Sequence, residues 1–130
     1  MFDHIGFPVS NFPNSKRFYQ TALEPLSVGL VMELTAEQTG SSSQAGFGEN
    51  GKPYFWIGDG EGVVRGRLHI AFMAKTRRDV DAFYKAALAA GGRDNGKPGL
   101  RPHYHAHYYG AFVLDPDGHN IEAVCHSAEA

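Results

Sequence analysis

Two stretches of the chain alternate apolar and polar residues with a period of two. Ile5, Phe7 and Val9 share one face of the first, and Leu68, Ile70 and Phe72 share one face of the second, so each predicts a half-buried strand. A histidine lies on the opposite face of each, His4 and His69. Helical periodicity follows in both. Val80, Phe83, Tyr84, Ala87 and Leu88 recur at i, i+3, i+4, i+7 and i+8, with Thr76 and Asp79 as a cap and Gly91-Gly92 beyond the last turn. The earlier helix is expected over roughly Asn14 to Glu24, with Phe18, Ala22 and Leu23 on its apolar side and Pro25 ending it.

These paired elements are copies of one another. Shifting the chain by 65 residues (69 minus 4) aligns His4-Ile5-Gly6-Phe7 with His69-Ile70-Ala71-Phe72. The same shift aligns Phe18-Tyr19-Gln20-Thr21-Ala22-Leu23 with Phe83-Tyr84-Lys85-Ala86-Ala87-Leu88, without a gap. Short extended segments follow each helix: Gly29 to Leu34, Ala45 to Gly48 and Pro53 to Gly58, then Tyr108 to Leu114 and Asn120 to Cys125. Asp115-Pro116-Asp117-Gly118 predicts a tight turn joining the last two strands, while Gly40 to Gln44 and Arg93 to Gly99 read as loops. The prediction is one α+β domain over 1–130, built of two modules, about 1–63 and 64–130, each running strand, helix, strands.

Composition narrows the class. Of 130 residues, 42% are hydrophobic and 20% charged, which excludes a disordered chain or a coiled coil. A net charge of −2 argues against nucleic acid as a partner, and no run reaches membrane-spanning length, so a soluble, cytoplasmic protein is expected. The single cysteine, Cys125, sits in the apolar run IEAVC and is expected to be a buried structural thiol.

The last strand repeats the pattern of the opening ones. Ile121, Ala123 and Cys125 form its apolar face, and Glu122 points the other way. Two histidines and a carboxylate on three strands, all turned from the helix-packed side, are the donor types of a divalent metal site with open positions. Each alone has an ordinary structural explanation; the matching places of His4 and His69 in the two copies are what favour a site. The segment Arg101 to Tyr109 carries three more histidines at period two, and if extended it would place His103, His105, His107 and Tyr109 on one face. His105 and Tyr109 are then candidate proton-relay or oxyanion-steadying groups, with His103 and His107 at the substrate; a polar rim is the competing reading. Arg67 shares the strand face with His69 and could hold an anionic substrate group. Trp56 and Phe47 are either a cavity wall or core aromatics.

The duplication, the paired F-Y-x-x-x-L helix motif and AFVLDPDGHNIEAV at 111–124 resemble the glyoxalase/bleomycin resistance/extradiol dioxygenase superfamily, the vicinal oxygen chelate proteins, over nearly the whole chain. The resemblance implies tandem βαβββ modules curled into a half-barrel of mixed sheet with helices outside. It also implies one divalent ion (Zn, Fe(II), Ni or Mn) on His4, His69 and Glu122, and a chain that forms a homodimer. At the fourth ligand position of glyoxalase I, 65 residues before Glu122, this chain has Ile57. The implied function is a metal-dependent enzyme chelating neighbouring oxygens of a small-molecule substrate. Its chemistry would be that of a lyase or isomerase, as in lactoylglutathione lyase, or of a dioxygenase or thiol transferase, with Glu122 as ligand or base. The alternative is a non-catalytic drug- or metabolite-binding protein of the bleomycin-resistance type.

Overall fold

Local capping sets the helix boundaries. In the computed structural model, which describes residues 1–128, the Asn11 side chain accepts a hydrogen bond from the Asn14 amide and starts α1 (Phe12–Leu23) two residues before the expected point. Pro13 stands in the first turn, where a missing N–H costs nothing. After α1 the chain makes a 3₁₀ turn over Glu24–Leu26 and reverses at Ser27, whose φ of 63° is left-handed. Thr76 caps the long helix of the second module (Arg77–Ala89) by accepting from the Asp79 amide.

Among the described residues, eight strands form two sheets. In the first, β1 (Ile5–Pro8), β2 (Gly29–Leu34), β3 (Gln44–Glu49) and β4 (Lys52–Gly58) lie in the order β1-β4-β3-β2. In the second, β5 (His69–Met73), β6 (Arg93–Leu100), β7 (Tyr109–Leu114) and β8 (Asn120–Cys125) lie in the matching order β5-β8-β7-β6. The opening strand of each module pairs parallel with its last strand, and the other pairs are antiparallel. The fold is thus α+β, a βαβββ unit used twice, with mixed sheets that form no closed barrel. Both long helices contribute to one core: Phe18, Tyr19 and Leu23 of α1, Val80, Phe83 and Ala87 of the second-module helix, Phe47, Phe55 and Ile57 of the first sheet, and Val113, Ile121 and Ala123 of the second. Cys125 belongs to this core as expected.

Two local expectations change and one element is new. The segment 93–99 is not a loop but most of β6, an edge strand whose register breaks between Asp94 and Gly96 and again between Gly96 and Gly99. Its backbone ladder to β7 holds it, so no side-chain alternation marks it in the sequence. A short helix, α2 (Ala36–Thr39), precedes the Gly/Ser segment, with a capping box between Thr35 and Gln38 and left-handed Gly40 at its end; the Arg77–Ala89 helix is therefore α3. Residues 101–108 are not extended. They fold into turns, with Tyr104 N–H donating to the Arg101 carbonyl (2.9 Å) and Tyr108 N–H to the His105 carbonyl (3.2 Å). His103, His105, His107 and Tyr109 consequently share no face.

The predicted turn at 115–118 is present, closed by Gly118 N–H donating to the Asp115 carbonyl at 2.9 Å. It also joins the modules. Tyr19 in α1 donates its hydroxyl to Asp115 Oδ2, and Ser10 donates both N–H and hydroxyl to Asp117. Asp115 Oδ1 accepts the Asp117 and His119 amides, both at 2.9 Å. The buried His119 ring meets Phe7 of β1 edge-on, and Phe55 meets Phe72 across the same seam at 5.2 Å between centroids. The aspartates of the D-P-D-G turn thus bind the first module to the second.

Candidate metal centre

β5 and β8 run side by side and parallel, so their outward-facing residues meet. His69 Nε2 stands 2.9 Å from Glu122 Oε1, with the imidazole donating because a carboxylate only accepts. Glu122 is 1% exposed although ionisable, and the His69 side chain is 54% exposed. The other carboxylate oxygen, Oε2, accepts from the Tyr108 hydroxyl. Burial, then this contact with Glu122, pushes the Tyr108 phenol well above the ordinary tyrosine value. A cleft of about 490 Å³ opens over the pair, lined by His69, Tyr104, His105, Tyr108, Phe112 and Glu122.

His4, the third expected donor, borders a neighbouring cavity of about 370 Å³ that His69 also lines. Its Nδ1 is 2.7 Å from Asp3 Oδ1, and Asp3 in turn takes Lys52 Nζ at 3.0 Å. Among the described residues, no three His, Cys, Asp or Glu side chains are grouped to hold an ion. The His69–Glu122 pair by itself suits one. Two donors about 2.1 Å from an ion and at right angles stand about 3 Å apart, close to the observed spacing, and the Nε2 proton is what an ion would replace.

The other sequence candidates divide. His105 lines the cleft; its Nδ1 accepts the His107 amide (3.1 Å), so its Nε2 carries the proton toward His126 Nδ1 at 2.8 Å. Trp56 shares a second open face with His4 and Gln44, its indole lying flat against Gly46. Tyr109 points away from the cleft and donates to Asp81 at 2.7 Å. Burial, then Asp81, raises its phenol to about 12. Phe47 is fully buried among Tyr19 and Phe55, on the helix-facing side of β3, and lines none of these cavities. His103 rests against Tyr104, and His103, His107 and Arg67 are exposed and line none of these cavities.

Sequence reading missed Tyr108 and His126. Strand parity would have found the first: Phe112 pairs with Glu122, so stepping back by twos through Gly110 reaches Tyr108, while Tyr109, paired with Cys125, falls on the helix side. The same parity reaches His126, which follows Glu122 and Val124 by twos one residue beyond β8.

Residues 1–123 match the model of the Glyoxalase/Bleomycin resistance protein/Dioxygenase superfamily, and the chain belongs to that family. It is similar to a glyoxalase/bleomycin resistance protein from Albidiferax ferrireducens T118, with 27% identity, 98% of this chain and 99% of that one covered, and a TM-score of 0.78. Two further likenesses show the fold alone. One is glyoxalase I from Zea mays, at 19% identity and TM-score 0.70, covering 95% of this chain and 45% of that one. The other is FosX from Listeria monocytogenes, a mutant of which was solved with Mn(II) and 1S,2S-dihydroxypropylphosphonic acid; it has 19% identity, covers 100% of this chain and 93% of that one, and has a TM-score of 0.68. No curated protein sequence matches the chain. No helix among the described residues is long and apolar enough to cross a membrane.

Proposed function

We propose that this protein is a cytoplasmic, divalent-metal-dependent enzyme acting on a small molecule with two neighbouring oxygens, with His4, His69 and Glu122 as the ion's protein ligands. The observation that carries the reading is Glu122: a carboxylate almost without solvent, on a sheet face, 2.9 Å from an imidazole that is itself open to the cleft. The His69 and Tyr108 donors satisfy this buried carboxylate in the metal-free chain, and a divalent ion taking the place of the His69 proton would satisfy it equally. A bound divalent ion would supply Lewis acidity toward the substrate oxygens. His69 and Glu122 orient the reacting centre from rigid strands. Glu122 is the group placed to take or return a proton, while Tyr104, Phe112 and the Tyr108 ring give the cleft an aromatic lining.

Within one chain His4 faces Asp3, so the third donor comes to the pair by a turn of its side chain or from a second copy. Among the described residues the outer edges of β1 and β5 carry no further strand, and Phe2, Ile5 and Met73 are exposed there, which favours a homodimer as the working form.

Elemental analysis of untagged protein purified without chelators tests the reading. The expected result is about one divalent ion per chain, lost in His69→Ala with the fold retained. No metal after anaerobic reconstitution with Zn, Fe(II), Ni and Mn would overturn it and leave a metal-free small-molecule binder.

A further inference from the structure

We infer that Tyr108 is a positioning residue for Glu122, holding Oε2 so that Oε1 alone faces the His69 side of the cleft; this rests on the metal reading above. Each oxygen of the buried carboxylate has its own side-chain partner, His69 Nε2 on Oε1 and the Tyr108 hydroxyl on Oε2. No lysine or arginine lines the cleft to compete for either.

The surroundings hold the phenol in place. The Tyr104 ring lies 4.8 Å from it, and the His105 and His126 rings, stacked on one another, each lie 5.4 Å away. Gly110 leaves the gap through which hydroxyl and carboxylate meet. A Cβ there would stand 3.2 Å from Tyr108 Cε1 and 3.3 Å from Glu122 Oε2, tight against both partners. Removing the hydroxyl frees Oε2, and the carboxylate then swings or presents both oxygens.

Co(II) alone is the probe, titrated into full-length protein against a chromophoric chelator, with the visible d–d spectrum recorded at saturation. Tyr108→Phe is expected to weaken Co(II) binding about 10- to 100-fold and to change the shape and intensity of the d–d bands, the melting temperature being followed in parallel. A purely structural role would lower the melting temperature without moving the spectrum of the bound ion. Wild-type affinity and spectrum in Tyr108→Phe would overturn the inference and leave the metal reading standing. Failure of wild-type protein to bind Co(II) would overturn both. If Tyr108→Phe does not fold, Gly110→Ala keeps the hydroxyl and crowds the contact; weaker binding, about tenfold, supports the inference, and unchanged binding overturns it.

Discussion

Tyr19→Phe isolates the bond between the modules. The substitution leaves the ring among Phe18, Phe47 and Phe55 and deletes one hydroxyl, so almost no apolar burial is lost. What is lost is a donor to Asp115 Oδ2 at a site where both residues are buried. A hydrogen bond to a carboxylate contributes about 1.5–3 kcal/mol, and the oxygen left without its donor is buried. With an unfolding entropy of about 2.1 cal/mol/K per residue, 130 residues amount to roughly 0.27 kcal/mol/K, so the expected fall in melting temperature is about 5–11 °C. Thermal unfolding at neutral pH and fixed protein concentration, followed by far-UV circular dichroism, measures it. The same variant carries a pH signature. Burial, then Asp115, raises the Tyr19 phenol well above 10, so unfolding at alkaline pH releases a proton that the folded chain retains. Stability from this group is complete below pH 10 and is lost as pH rises past it, with a slope approaching 1.4 kcal/mol per unit. Other tyrosines with raised values add to the wild-type slope, and the difference between wild type and Tyr19→Phe isolates this one. A fall of less than about 2 °C, or identical alkaline slopes, would refute the view that the Asp115 turn is a stabilising clasp.

Two further predictions concern the sheet face and the core. Gly46→Ala would put a Cβ within 2.8–2.9 Å of the Trp56 ring, so the indole must move; a shifted emission maximum from the only tryptophan, with about 1–3 kcal/mol of destabilisation, is the expected outcome, and unchanged fluorescence would show that the ring does not rest there. Cys125, 1% exposed, is expected to resist a thiol-specific chromogenic disulfide in native protein and to react fully in denaturant, with fast native labelling counting against its burial.

The repeat, the two long helices and the final hairpin are legible in the chain because each rests on short-range physics. Apolar residues at helical or alternating spacing, the Thr76 cap and the Asp-Pro-Asp-Gly turn act within a few residues of one another, while the Asn11 cap moved the start of α1 from its expected place. Three opening and closing strands with their polar groups on the open face follow from the same periodicity, so His69 and Glu122 were readable as candidates. β6 was not, since its backbone ladder to β7 depends on a partner strand and its sequence carries no alternation.

The site itself needed the third dimension. The parallel pairing of β5 with β8 brings His69 to Glu122, while His4, its counterpart in the repeat, turns to Asp3, because identical sequence places do not guarantee identical neighbours. Tyr108 rather than Tyr109 meets the carboxylate because the β7–β8 register decides which residues share its face, and His126, one residue past β8, stands against His105 of the turn segment that precedes β7. Periodicity assigns a residue to a face; only the pairing of distant strands decides what stands opposite it.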